Sequence, residues 1–264
     1  MNKIEVKVLE THGDPGQWAT FLARLTQRGH NIKNMTDLEE LFNKSHTPGF
    51  VEAIAQLPHG TIKRFTPITV AIVGASRRFL AQARTSQVGT NFVSASLQYS
   101  DYSESADFVV PYAIMEADLK EGNDSTFYTD MYLKGCRRDM REYAALAEVA
   151  GNDAAGYKAP QGLRNILIMQ ANHQSWDYWI RLRGCNRNTV ETQYVTMRIW
   201  EELLNTPDGK EFFGRSGADC MYGACREGKM CCSDPMRKFV DMSKETGKSV
   251  PRCIIEERWP LLNA

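Results

Sequence analysis

The 264-residue sequence has no run of about 18 apolar residues and no apolar block near its N-terminus. Neither a membrane span nor a secretory leader is therefore expected, and a cytoplasmic location follows as the expectation. No sign of charge prevails: 32 Lys+Arg stand against 32 Asp+Glu. A protein that neutralises many phosphates carries an excess of basic residues, so no nucleic-acid partner is expected, whereas a small anion pocket stays open. Histidine is scarce, at five residues, which leaves little from which to build a His-based metal centre. Nothing matches a glycine-rich dinucleotide fingerprint, a Walker loop or the elbow that presents a nucleophilic serine. There is no internal repeat, and no linker forces a boundary. With 42% hydrophobic and 24% charged residues, the composition is that of a globular chain. It is read as one α/β (α+β) domain over 1–264, with a mixed sheet flanked by long helices.

Periodicity places the elements. "IEVKVLE" (4–10) alternates as a strand, and "QWATFLARLTQ" (17–27) has helical spacing. "MTDLEELFNK" (35–44) reads as a helix with Thr36 as N-cap and Glu39 three residues on. "TPGFVEAIAQLP" is a short helix with Pro48 near its start. "TIKRFTPITVAIVG" (61–74) gives one or two strands, then "ASRRFLAQAR" (75–84) a helix opened by Ser76. "ASLQYS" and "ADFVVPY" read as strands, and 127–151 as one long helix ending at a Gly-Asn-Asp turn. "LRNILIMQA" (163–171) suits a strand or part of a helix; "HQSWDYWIRLR" and 189–204 are helical. The last 60 residues show little periodicity and read as a Cys-rich, loop-dominated extension over 205–264.

Seven cysteines, an odd number without a secretion signal, argue against a disulfide framework. Cys220, Cys225, Cys231 and Cys232 crowd into 13 residues with C-x4-C-x5-CC spacing. Four thiolates so close suit structural zinc. Reduced packing cysteines and a redox pair fit the same text, and adjacent cysteines seldom ligate one ion together.

Three further places carry chemistry. His59 lies in the turn "PHGT", within reach of a ligand or simply solvated. The stretch 84–103 is rich in hydroxyls. Arg77 and Arg84, seven residues apart, are expected to point one way and hold an anion, helped by Arg78, Thr85, Ser86, Thr90, Asn91, Ser94 and Ser96. A polar connection capped by its own hydroxyls explains the same composition. Asn172, Trp176, Trp179, Arg183 and Arg187 fall at helical spacing. They make either a ring-and-anion wall or a tryptophan core stripe with a basic last turn, in which Arg187 pairs with Glu191.

The order of these pieces resembles the flavin-dependent thymidylate synthases over roughly residues 50–205. His59-Gly60-Thr61 matches the opening turn of the family pattern, Ser96 its serine, Tyr99-Ser100 its Tyr-Ser pair. Asn172, Leu182-Arg183 and Glu191 match the later "N-x-R…LR…Q-x-E". The Arg-His-Arg signature is largely replaced. Counting from His59 it falls on Arg84-Thr85-Ser86, and counting back from Tyr99 on Thr85-Ser86-Gln87. Gln98, Gly156 and Gln174 stand where the family has arginine, with Arg77, Arg78, Lys158 and Arg187 left to compensate.

The resemblance implies FAD, NADPH and methylene-tetrahydrofolate as co-substrate, a pyrimidine nucleotide as substrate, and a homotetramer with shared active sites. It implies Arg183 as the catalytic cation, also touching substrate beside Arg78, Ser94, Ser96, Gln98 and Tyr99. His59, Arg84, Thr85, Ser86, Asn172 and Arg187 are implied for the cofactor. The replaced arginines leave two other readings: a flavin enzyme for another pyrimidine nucleotide, or a non-catalytic nucleotide-binding relative with a zinc-stapled tail.

Overall fold

Isoleucine and valine at alternate positions give Pro67–Ser76 one apolar face, with Ile68, Val70 and Ile72 fully buried and Thr69 and Val73 turned the other way. The computed structural model describes residues 3–57, 59–86, 89–104, 106–121 and 126–263. In chain order it contains β1 (Glu5–Thr11), α1 (Pro15–Arg28), α2 (Met35–Phe42), α3 (Pro48–Ala55), β2 (Pro67–Ser76), α4 (Arg77–Ala83), β3 (Thr90–Ser94), α5 (Tyr112–Glu121) and α6 (Phe127–Ala155). Then follow β4 (Arg164–Asn172), α7 (His173–Arg183), α8 (Val190–Leu204), α9 (Gly209–Phe213), α10 (Arg237–Thr246), α11 (Val250–Arg258) and α12 (Pro260–Asn263). No helix is long and apolar enough to cross a membrane among the described residues.

The sheet runs β1-β2-β4-β3, and every neighbouring pair is antiparallel. The expected mixed sheet is therefore corrected to an antiparallel one. The ambiguous 163–171 run is the strand β4, because Leu167, Met169 and Ala171 alternate into the core beside β2. A bulge between Val73 and Ala75 falls on Gly74, at φ +84° with the Arg164 guanidinium where a Cβ would stand. One sheet face packs on α7 and α8, around the buried Trp176, Trp179 and Trp200. Two of these indoles donate to backbone carbonyls, Trp176 to Ile68 and Trp200 to Phe213. A second cluster, Phe108, Met140, Tyr143 and Leu163, seats α6.

Several expectations change. Asn34 rather than Thr36 caps α2, its carboxamide oxygen accepting from the Asp37 amide at 3.0 Å. "ASLQYS" is a turn, and of "ADFVVPY" only Phe108 makes a bridge, to Leu163, its side chain being buried in the second core cluster rather than on a strand. The last 60 residues are not loop-dominated. Helices α9 to α12 occupy much of them, and Phe213, Phe239, Ile254, Ile255 and Trp259 enter the main core. Short amphipathic helices of 4 to 10 residues give too few periods to be read against a Gly- and Cys-rich background.

Candidate functional site

Two strand-to-helix junctions build the site. At the first, β2 runs into α4, and Ser76 caps the helix by accepting from the Phe79 amide at 3.1 Å. The buried Ser76 in turn gives its amide and its hydroxyl to the two oxygens of Glu191, at 2.7 and 2.5 Å. Glu191 thus ties the first turn of α8 to α4. Burial pushes its carboxyl above the ordinary range, and the Ser76 bonds only partly offset this. The anticipated Arg187–Glu191 pair is not formed.

At the second junction β4 runs into α7. Asn172 caps that helix, accepting from the Ser175 amide at 2.9 Å. Eleven residues on, Arg183 ends it and reaches back to the end of α4. Its Nη2 donates to the Gln82 carbonyl at 3.0 Å, Thr85 Oγ1 at 2.5 Å and Ser86 Oγ at 2.9 Å; Nε also donates to Ser86. The guanidinium lies 5.7 Å from the Trp179 ring centre. Burial draws Arg183 below the usual guanidinium range, yet a guanidinium stays charged in a protein. Its Nη1 keeps only a 3.4 Å contact with Asn188.

Between these parts lies a cavity of about 100 Å³ lined by Thr85, Ser86, Thr90, Ser175, Tyr178, Trp179 and Leu182. Trp179 is 1% exposed, and its indole N–H has no protein partner. A buried donor without an acceptor is costly. Gly89, at φ +68°, stands so close to Ser175 that a Cβ there would strike its Oγ. The volume fits a phosphate and is too small for a flavin ring. A far larger cavity, about 930 Å³, lies around α5 and α6 and includes Arg78, Tyr112, Tyr132, Gln161 and Glu191 in its wall. That size suits a nucleotide or a ring cofactor.

The anticipated residues divide among several places. Arg183, Thr85 and Ser86 come together, and Asn172 stands behind Ser175. Arg84 instead donates to Ser94 Oγ. Arg77 does not join it: Arg77 Nη1 donates to the Ala159 carbonyl at 2.7 Å and the Gly156 carbonyl at 3.4 Å. The pair expected to grip one anion is thus divided, since each guanidinium finds a nearer acceptor. Ser96 accepts from the Gln98 amide in a separate turn, leaving Gln98 and Tyr99 exposed. His59 is exposed ahead of the Gly60–Lys63 turn. Arg187 leaves the helix face altogether, because α7 stops at Arg183. The loop beyond carries Arg187 to a cysteine-lined cavity, 3.8 Å from Met230 Sδ. Gln87 lies outside the described residues.

Of two guanidinium groups found at the positions of lost arginines, sequence reasoning named Arg77 and missed Arg64. Gly156, in an arginine position of the pattern, has the Arg77 guanidinium on its carbonyl. Gln174, in another, accepts from Arg64 Nε at 2.5 Å. Lys158 does not compensate, being paired with Asp139 and Glu142 at 3.3 and 2.7 Å. Elsewhere Asp14, His46 and Asp208 bring ligand atoms within 4.8 Å. Asp14 there caps α1, accepting from the Gln17 amide, and Asp208 accepts from the Gly16 amide.

Comparison with known proteins gives the family. The family model described as thymidylate synthase complementing protein matches residues 7–206. The chain belongs to this family, that of the flavin-dependent thymidylate synthases. The flavin-dependent thymidylate synthase of Geobacter sulfurreducens is 22% identical over 247 residues, 91% of this chain and 100% of that protein. Among solved structures, thymidylate synthase X from Helicobacter pylori with FAD and dUMP is similar at TM-score 0.58 and 15% identity, covering 80% of this chain and 97% of that one. A UMP/dUMP methylase, PolB from Streptomyces cacaoi bound with 5-Br dUMP, is similar at TM-score 0.62 and 12% identity, covering 82% and 97%. At these identities the structural likeness shows the α/β fold.

Proposed function

We propose that this protein is a flavin-dependent enzyme that methylates a uracil nucleotide, converting dUMP to dTMP with methylene-tetrahydrofolate and NADPH. The observation that carries the reading is the Arg183 fork closed over Gln82, Thr85 and Ser86, in a chain of this family. Bound reduced FAD supplies the hydride that completes the methyl group.

The chain's own part is binding, orientation and charge. The small cavity fits a phosphate, with the Ser86 and Ser175 hydroxyls as donors; those of Thr85 and Thr90 already donate to the Gln82 and Ser86 carbonyls. We assign it to the cofactor's phosphates, with Asn172 fixing the wall, and His59 and Arg84 at its approaches. Arg183 adds a charge whose bonds hold it in place, so negative charge that develops nearby meets a prepositioned cation. Charge-assisted bonds are about twice as strong as neutral ones, so Arg183 outweighs any single hydroxyl. The large cavity takes the nucleotide ring among Tyr112, Tyr128 and Tyr132, with Arg78 for its phosphate. Ser94, Ser96, Gln98 and Tyr99, exposed or half-buried in one chain, complete a site across a subunit contact. The sheet face opposite the helices exposes Val73, Ile166 and Val93 at 43%, 45% and 70%; such a face suits burial in a homotetramer.

One observation favours the neighbouring reading, a different pyrimidine nucleotide. Arg77 and Arg64 reach the positions that lost arginine from new directions, which changes the shape presented to the ligand. Incubation with FAD, NADPH, methylene-tetrahydrofolate and, in parallel, dUMP, UMP and dCMP decides between them. The expected outcome is a methylated product from dUMP. A product from UMP or dCMP alone selects the second reading, and a colourless protein that takes up no FAD contradicts both.

A further inference from the structure

Five of the chain's seven cysteines line one cavity of about 180 Å³. Four of them, Cys220, Cys225, Cys231 and Cys232, come from the crowded segment, and the fifth, Cys185, comes from the loop that ends α7. All five carry free thiols. The segment bearing the four lies beyond residue 206, where the family match ends.

The hydrogen bonds set Cys232 apart from Cys220 and Cys231. Two of the sulfurs accept a backbone amide. Met236 N–H points at Cys220 Sγ at 3.4 Å, and Ser233 N–H at Cys231 Sγ at 3.5 Å. For Cys231 the donor lies two residues on. Chain bent this way aims an N–H at a sulfur, and amide bonds to sulfur are how proteins tune cysteine-bound metals. At Cys231 the bend uses a left-handed Ser233, φ +57°, one of two such non-glycine residues among those described. Cys232 differs: its own Sγ donates to the Asp234 carbonyl at 3.6 Å, as a protonated thiol does.

The walls are braced. Gln193 donates to the Gly184 carbonyl at 2.8 Å, holding the Cys185 loop. Arg258 Nη2 donates to Asp234 at 2.7 Å and Nη1 to Asn186 at 2.5 Å, and Asn186 donates back to Asp234 at 3.0 Å. This network joins the loop after α7 to the C-terminal segment across 48 residues of sequence.

We propose that the chain binds one zinc ion through Cys185, Cys220, Cys225 and Cys231, with Cys232 outside the ligand set. This resolves the difficulty of adjacent ligands, since Cys185 takes the place that the sequence alone gives to Cys232. Zinc–sulfur bonds of about 2.3 Å put tetrahedral sulfurs about 3.8 Å apart. No three of these sulfurs lie within 4.8 Å of one another among the described residues, so binding draws the side chains inward. The ion then pins the loop two residues beyond Arg183 to the C-terminal segment.

The test is metal analysis of the full-length protein purified without chelator, with zinc also read by dye after a mercurial releases it. About one zinc per chain is expected. Cys185→Ser is expected to lower zinc retention against a competing chelator by more than the ~10–100-fold typical of losing an outer partner, and Cys232→Ser to leave it unchanged. Should Cys185→Ser fail to fold, alkylation of the wild-type protein decides. Cys232 is expected to react at once, and the four ligands only after zinc is removed. Metal-free wild-type protein, iron in place of zinc, rapid alkylation of Cys185 with zinc bound, or zinc lost from Cys232→Ser but kept in Cys185→Ser would each overturn the proposal.

Discussion

Arg183 Nη2 and the Ser86 hydroxyl, 97 positions apart in the chain, meet at 2.9 Å. That contact joins the end of α7 to the turn after α4, whose Thr85 and Ser86 line the small cavity. Arg183→Ala is expected to lower turnover by at least ~100-fold, the scale of losing a preorganised donor. Stability should fall by only about 1–3 kcal/mol, because the bonds are charge-assisted but half-exposed. Steady-state kinetics beside thermal unfolding checks this, and near-normal turnover removes Arg183 from the mechanism.

Arg84 is the one signature cation kept in one register, and it is held by Ser94 Oγ. Arg84→Ala is expected to weaken FAD or nucleotide binding about tenfold, or about 1.4 kcal/mol. Titration calorimetry measures it; an unchanged Kd for both ligands counts against the assignment.

His173 is buried at the start of α7. Its Nδ1 donates to the Thr66 carbonyl at 2.9 Å, its ring stacks on Phe213, and its Nε2 has no partner. Burial lowers its pKa from 6.5 to about 4, the Thr66 bond resisting. The folded state therefore binds this proton less readily than the unfolded chain. The stabilising effect is complete above pH 6.5 and is lost as pH falls toward 4, amounting to about 3 kcal/mol. Denaturant unfolding from pH 7 to 4 should show this decline. In His173→Asn, which keeps a donor for Thr66, the decline should be absent even though packing loss lowers stability at pH 7. An equal slope in both proteins contradicts the assignment.

Glu191 has the opposite sign. Its folded carboxyl titrates above the ordinary 4.5, so its contribution is complete below that pH and fades as pH rises through the folded value. Glu191→Ala leaves the buried Ser76 amide unpaired and should cost about 2–4 kcal/mol. Glu191→Gln should cost less and flatten the fade between pH 4.5 and 7. Chemical denaturation of the two variants across that range separates these effects.

The residues explain what was legible in the sequence. Ile68, Val70 and Ile72 alternate cleanly, and Ser76 and Asn172 are capping residues ahead of apolar spacing, so β2, α4 and α7 could be read locally. Arg183 meeting the hydroxyl stretch was legible as two chemistries in want of each other. The antiparallel order was not, since strand pairing is set between distant segments. Nor were Arg64 beside Gln174 and Cys185 beside the cysteine cluster, because neither neighbour leaves a mark in its own stretch of chain. Arg187 misled because helical spacing was carried past Gly184, where the helix has already ended with a bond to the Ile180 carbonyl.

The most direct test of the account is a single reconstitution: protein with FAD, NADPH, methylene-tetrahydrofolate and dUMP, scored for dTMP alongside the flavin bound per chain. The account predicts a yellow protein that forms dTMP, and an Arg183→Ala protein that forms little. A wild-type protein that neither holds flavin nor methylates any pyrimidine nucleotide would contradict it.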